Sequence, residues 1–317
     1  MVKLKIMGEY FIMSIEIKRL PPSIGTDEKS WTKVKTCGNI ISTTNYRKLK
    51  RSCDVIKLDK HHYLIKKEMV DFKTGELLIH DYEHTNNRFE GYKSLLNSFS
   101  KLRDLINCNI TDVKKVHWCT LTYADNMQDL KKLKNDFNNF WKRFKEYCKI
   151  NNYIIPEYIN AVEPQERGAW HIHLLILWHI EAPYIPHEIF WKLWSPKGYK
   201  QNKDFVKIQS LYVDGKAIDN VGAYLTTYLT DTISENEHKR EKHNRLKLYP
   251  TGMNVFRTSK GIKRPEIEYM SEGFARKKVS SAKLTYEKRI VLENKESGYS
   301  NELIYKYYNT KPRDCQE

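Results

Sequence analysis

The chain has 317 residues and a mass of 37.8 kDa, and at 40% apolar residues it can build the core of one large domain or two small ones. Lysine and arginine total 55 against 39 acidic residues, a net charge of +16 with a pI near 9.3; this is the footprint of a polyanion partner, nucleic acid first and a membrane surface second. No apolar run reaches the roughly 18 residues of a membrane span, and charges are interspersed from the start, so a soluble cytoplasmic protein is expected, with no membrane partner. The six cysteines, Cys37, Cys53, Cys108, Cys119, Cys148 and Cys315, form no CxxC pair. Neither a zinc knuckle nor a disulfide framework is indicated, and the thiols read as reduced packing residues.

In chain order, residues 31–84 read as short strand-like pieces, with a turn at "DFKTGELL" where Asp71 and Gly75 break the pattern. Residues 85–110 have a helical period, with Phe89, Tyr92, Leu95, Leu96, Phe99, Leu102 and Leu105 at spacings of three and four. "VHWCTLTYA" (116–124) is aromatic and β-branched and reads as a strand. Residues 129–148 follow as an amphipathic helix, with Leu130, Leu133, Phe137, Phe140, Trp141 and Phe144 on one face and lysines on the other. Two strands come next, "YIIPEYINAVE" and "GAWHIHLLILW", joined by the turn "PQERG" (164–168). A Trp-rich helix (187–194), a short strand "FVKIQSL" and a helix "DNVGAYLTTYLTD" capped by Asp219 or Asn220 complete the legible part. Residues 111–235 thus suggest an α+β unit with helices on one face of an antiparallel sheet. An N-terminal extension (1–110) precedes it and a basic C-terminal extension (236–317) follows, the latter with 19 Lys/Arg against 11 Asp/Glu.

Chemistry concentrates in the hairpin. Alternation puts His171 and His173 on one strand face, about 7 Å apart along the backbone, close enough for both imidazoles to reach one cation. With a loop at 164–168, Glu163 faces Ala169, and the two-residue period carries that face to positions 171 and 173. Two imidazoles and a carboxylate make a three-ligand site with open positions, suited to Mn²⁺ or Mg²⁺ acting on a phosphate rather than to a closed structural zinc. Glu166, in the turn itself, is the weaker choice of third ligand. Tyr224 and Tyr228 lie four apart on one helix face, while Val221, Leu225 and Leu229 form a separate packing stripe. A phenol becomes a usable nucleophile when it is activated and its electrophile is held in line.

The triplet His171-Ile172-His173, the upstream "TLTY" (Thr120–Tyr123) and the downstream Tyr-x-x-x-Tyr occur in the order of the HUH endonucleases that initiate rolling-circle replication. Over residues 87–235 the chain resembles the replication-associated proteins of bacterial plasmids, phages and integrative elements. The resemblance implies a ferredoxin-like sheet in which His171, His173 and Glu163 hold the metal. It also implies that Tyr224 or Tyr228 attacks a single-stranded DNA phosphodiester at a replication origin, leaving a 5′-phosphotyrosine link and a free 3′-OH. Many members of the superfamily carry a lysine three residues after each such tyrosine; Thr227 and Asp231 stand there in this chain. Transposases and relaxases of the same superfamily are the neighbouring alternatives, and relaxases generally place the tyrosine before the histidines.

Outside the motifs, the residues assigned to DNA binding are Thr120 and Thr122 of the upstream strand, Arg167 of the turn, Trp170 beside the histidines, and Arg257, Lys260, Lys263 and Arg264 of "FRTSKGIKRPE". Trp178, Trp191 and Trp194 lie nearby, one ring at most being expected to stack on a base. "SPKGYK" and "TSKGIK" lack the glycine spacing of a phosphate loop, so no nucleotide cofactor is expected, and a host helicase and polymerase are the expected partners. A non-catalytic nucleic-acid-binding protein, in which the histidines only pack, is the alternative from another class.

Overall fold

The computed structural model describes residues 2–6, 9–13, 16–20, 31–46, 55–57, 62–65, 68–71, 77–78, 92–165, 167–194, 202–230, 247–294 and 299–311. The turn expected at 72–76, residues 85–91 ahead of the first helix, Glu166, "SPKGYK" and Asp231 lie outside them. The chain divides into two compact units: Met1–Thr36, Ile40–His84 and Glu266–Glu317 make one, Cys37–Asn39 and Thr85–Pro265 the other. This differs from the sequence-based division at residues 110 and 235. Both ends of the chain supply strands to one sheet, and the first long helix goes with the central unit.

The central unit holds helix α1 (Tyr92–Asn109), strand β1 (Val116–Leu121), α2 (Leu130–Ile150), β2 (Glu157–Pro164), β3 (Trp170–Leu177), α3 (His187–Leu193), β4 (Val206–Gln209), a hairpin of β5 (Tyr212–Val213) and β6 (Lys216–Ala217), α4 (Val221–Thr230) and β7 (Phe256–Thr258). Its five-stranded sheet runs β4-β1-β3-β2-β7, every neighbour antiparallel. From β1 to β4 the sequence β-α-β-β-α-β in the order 4-1-3-2 is the split βαβ arrangement of ferredoxin-like sheets. The α+β class read from the sequence is the one observed.

Asp129 starts α2, its carboxylate accepting from the N–H groups of Lys131 at 2.8 Å and Lys132 at 3.0 Å. Leu133, Phe137, Phe140, Phe144 and Cys148 recur every three or four residues and are buried along one stripe. The ring of Phe137 meets Tyr158, and that of Phe144 meets Phe190 of α3 and Trp178 after β3. These helices therefore cover the face that carries Tyr158, Asn160 and Ile172. The expectation of helices on one face holds for α2 and α3 and needs correction for the other two. Leu102 and Ile106 of α1 and Leu225 of α4 pack on Ile159, Ala161, His173 and Leu175 of the opposite face. That face carries apolar residues beside its polar ones, and they too require cover. Among the described residues no helix is long and apolar enough to cross a membrane.

The other unit is built on a six-stranded antiparallel sheet. Its order is Glu266–Ser271, Trp31–Cys37, Ile40–Tyr46, Tyr299–Asn309, Lys283–Asn294, Glu16–Leu20. Helix α5 (Glu272–Lys278) packs Ala275, with Val279 just beyond it, onto Val34 and Ile41 of one sheet face. On that face Asn45 donates to Thr32 Oγ1 and to Glu272 Oε2, and Arg276 donates to Glu272 Oε1 through both Nε and a terminal nitrogen.

Candidate metal centre

The β2–β3 register brings the polar residues of the hairpin together. Pro164 pairs with Trp170, Glu163 with His171 and Ala161 with His173, and the turn is closed by Gln165 N–H on Ala169 O and Gly168 N–H on Gln165 O. The loop is thus 165–169 rather than 164–168. The register shifts by two, so the parity that places Glu163 with the histidines survives; a shift of one would have sent it to the other face. Gly168 has φ +84°, the left-handed backbone that a glycine adopts without strain.

Glu163 Oε2 lies 2.9 Å from His171 Nε2 and 2.7 Å from His173 Nε2, and the two imidazole nitrogens are 2.9 Å apart. All three residues are buried. Burial opposes charge on Glu163, but the hydrogen bonds to His171 and His173 outweigh it and hold the carboxyl at about 2, so it is an anion at neutral pH. Burial likewise pushes the imidazolium form of His173 to lower pH, which keeps its ring neutral. Thr120 fixes the tautomer. Its hydroxyl donates to Gln209 Oε1 at 2.6 Å, and its Oγ1 lies 3.2 Å from His173 Nδ1. The single hydroxyl hydrogen being used on Gln209, Thr120 accepts from Nδ1–H, and the Nε2 lone pair of His173 faces Glu163 and His171. His171 Nδ1 is buried with no partner among the described residues. An anionic oxygen and imidazole nitrogens converging on one point form a donor set that could hold a metal ion.

Helix α4 lies over the same face. Asn220 Oδ1 caps it by accepting from Ala223 N–H, and the buried Asn107 Oδ1 of α1 accepts from Gly222 N–H at 2.9 Å. A Cβ at Gly222 would come within 2.4 Å of that Oδ1 and 2.5 Å of Arg103 O, so glycine sets how closely α4 approaches α1. Leu225 reaches the sheet beside His173, and Tyr224, 44% exposed, sets its ring edge-on to Trp118 at 6.1 Å. Trp118 and Thr120 alternate along β1 on the ligand face. Tyr228 belongs to the next turn of α4; its side chain lies outside the described residues.

The residues assigned to DNA from sequence fall in different places. Thr120 is buried and serves His173, as above. Thr122 donates to Phe205 O beyond the end of β1. Arg167 is exposed in the turn, with Nε on Gln165 Oε1. Trp170 is 5% exposed, donates its indole N–H to Gln128 O and meets the Tyr249 ring, which leaves it no open face for a base. Trp178 and Trp194 are buried as well. Arg257 pairs with Asn160 and so points to the α2 face, away from the ligands. Lys260, Lys263 and Arg264 are exposed on a segment anchored by Asn109, which accepts from Lys263 N–H and donates to Lys263 O. Two residues of the ligand face escaped the sequence reading. Lys207 pairs with Thr120 and Gln209 with Trp118 on edge strand β4. The signal was present in "VKIQ", whose polar residues alternate, but only the β1–β4 pairing reveals which face they join.

No curated protein and no solved structure matches the chain. Residues 116–233, from the first residue of β1 to just past α4, match the family model of the replication-associated protein ORF2, so the segment that builds the Glu163, His171 and His173 group is that of a replication-associated protein, consistent with a rolling-circle replication initiator.

Proposed function

We propose that the protein starts rolling-circle replication by nicking and rejoining single-stranded origin DNA through a covalent tyrosine link. The observation that carries this reading is the convergence of Glu163 Oε2, His171 Nε2 and His173 Nε2 within 2.9 Å on a face shared with the Tyr224 helix. At bond lengths of about 2.1 Å, neighbouring ligands stand about 3.0 Å apart in an octahedron and about 3.4 Å apart in a tetrahedron. The observed separations of 2.7, 2.9 and 2.9 Å favour the octahedron, hence Mn²⁺ or Mg²⁺ with positions left for phosphate oxygens. A cation held there supplies charge neutralisation at the scissile phosphate.

The chain's own residues do the rest. Thr120 and Gln209 hold His173 in its ligating tautomer, and Lys207, projecting from the same face, contributes the positive charge that the α4 positions Thr227 and Asp231 do not. The phenol of Tyr224 or Tyr228 gives up its proton as its oxygen bonds to phosphorus; the bond to the 3′ oxygen breaks, and that oxygen leaves as a 3′-OH after taking a proton. The 3′-OH primes a host polymerase, unwinding falls to a host helicase, and attack of a 3′-OH on the phosphotyrosine reverses the step to rejoin the strand. Incubation with single-stranded origin DNA and Mn²⁺ should give a covalent adduct on a denaturing gel. Absence of any adduct on strands containing the origin refutes the enzyme. An adduct that survives Tyr224→Phe plus Tyr228→Phe refutes the nucleophile assignment, and one that survives His173→Ala refutes the ligand assignment.

A further inference from the structure

The six-stranded sheet of the other unit has one face packed by α5 and an opposite face that is open at one end. Val34, Ile41 and Tyr308 turn toward α5, so by strand alternation Lys33, Lys35, Ser42, Thr44, Tyr305 and Tyr307 turn the other way. The neighbouring strands agree. Tyr269 pairs with Lys33 and Ile267 with Lys35, while Tyr286 pairs with Tyr307 and Lys288 with Tyr305. Farther along, Ile290 and Leu303 of this same face are buried, which confines the open part to the end that holds the tyrosines and lysines. Tyr269 is 64% exposed with the Lys33 ammonium 6.0 Å from its ring centre, and Tyr286 is 51% exposed with its ring edge-on to Tyr307 at 5.8 Å. The acids of the same strands, Glu266, Glu268, Glu287 and Glu302, alternate onto the helix-covered face. Among the described residues the open face therefore carries aromatic rings and lysines and no carboxylate.

We propose that this sheet face binds single-stranded DNA, with tyrosine rings stacking on bases and lysines meeting phosphates. A pleated sheet is flat enough for unstacked bases to lie on its aromatics, and a ring stacks on any base, so such a surface holds a strand without reading its sequence. A lysine row without acids selects a polyanion over an apolar or basic partner. Duplex DNA is disfavoured because its bases are already stacked inside. The surface lies wholly outside residues 116–233, and its assignment rests on the reading of the protein as one that handles single-stranded DNA.

The test uses the full-length protein and a fluorescein-labelled oligothymidine in EDTA, so that binding is read without metal. Tyr269→Ala plus Tyr286→Ala is expected to weaken affinity about tenfold or more, while Tyr269→Phe plus Tyr286→Phe keeps it within about twofold. Lys33→Ala plus Lys35→Ala should flatten the salt dependence by about 1.4 in log–log slope. Unchanged affinity in the alanine pair overturns the proposal, as does equal loss in the phenylalanine pair or equal affinity for a duplex of the same length. The alanine pair should still form the covalent adduct on a short origin strand. A wild-type protein that shows tyrosine-dependent binding but no adduct would sink the nicking reading and leave this surface standing.

Discussion

The hydroxyl of Thr120 decides which nitrogen of His173 faces Glu163, since its hydrogen is committed to Gln209 and only its lone pair is left for Nδ1. Thr120→Val keeps the shape and removes that acceptor. Mn²⁺ affinity measured by titration calorimetry should fall about 10- to 100-fold, the usual cost of losing a partner that orients a metal-binding histidine, and Thr120→Ser should restore it. Lys207→Ala separates a different role: it should slow adduct formation while leaving Mn²⁺ affinity unchanged, because Lys207 shares the face without belonging to the ligand group. Glu163 was legible from the sequence because strand parity needs only the two ends of a hairpin. Lys207 and Gln209 were not, since they reach the face through a pairing that joins residues about ninety positions apart in sequence.

The helices were the most legible elements, because their period is local. α2 begins one residue after its capping Asp129, and its buried stripe repeats the spacing of Leu133, Phe137, Phe140 and Phe144. Asp129→Ala should cost about 1 kcal/mol in urea denaturation, the usual value of an N-cap side chain. What the sequence could not give was the face each helix covers: α1 and α4 are packed by Asn107 and Gly222, a contact between distant residues. The β5–β6 hairpin was readable and went unread. Asp214 and Gly215 both have positive φ, as an Asp-Gly two-residue turn requires. His117 of β1 yields a pH prediction. Its Nδ1 accepts the Trp178 indole N–H at 3.0 Å, and burial lowers it to about 4 from an ordinary 6.5. Between those values the unfolded chain binds more protons than the folded one, so stability falls as pH drops from about 6.5 toward 4, by up to about 3 kcal/mol. His117→Gln, which can still accept from Trp178 but cannot titrate, should show a smaller loss between pH 7 and pH 4.5 in urea melts; an identical loss would remove His117 as the cause.

At the scale of the whole molecule, two units with separate cores divide the chemistry. The buried cluster that contains Phe140, Ile172 and Leu225 belongs to the central unit, and the smaller cluster of Val34, Ile41, Ala275 and Val279 to the sheet built from both ends of the chain. The net charge of +16 is spread over both, yet the three metal-binding side chains sit in one alone. A ligand stabilises only the structure that binds it, by RT ln(1 + [L]/Kd), about 2.7 kcal/mol when the free ion is at 100 times its Kd. Mn²⁺ should therefore raise the unfolding temperature of the central unit and leave the other unit's transition in place. Differential scanning calorimetry with Mn²⁺ and with EDTA reads this directly, and Trp fluorescence identifies the central transition, because Trp118, Trp170, Trp178 and Trp194 are buried there. The shift should vanish in His171→Ala plus His173→Ala, a substitution that leaves the tyrosine-and-lysine sheet face untouched. An equal shift of both transitions would mean that the ion is held elsewhere, and a shift that persists in the double variant would show that the hairpin does not hold it.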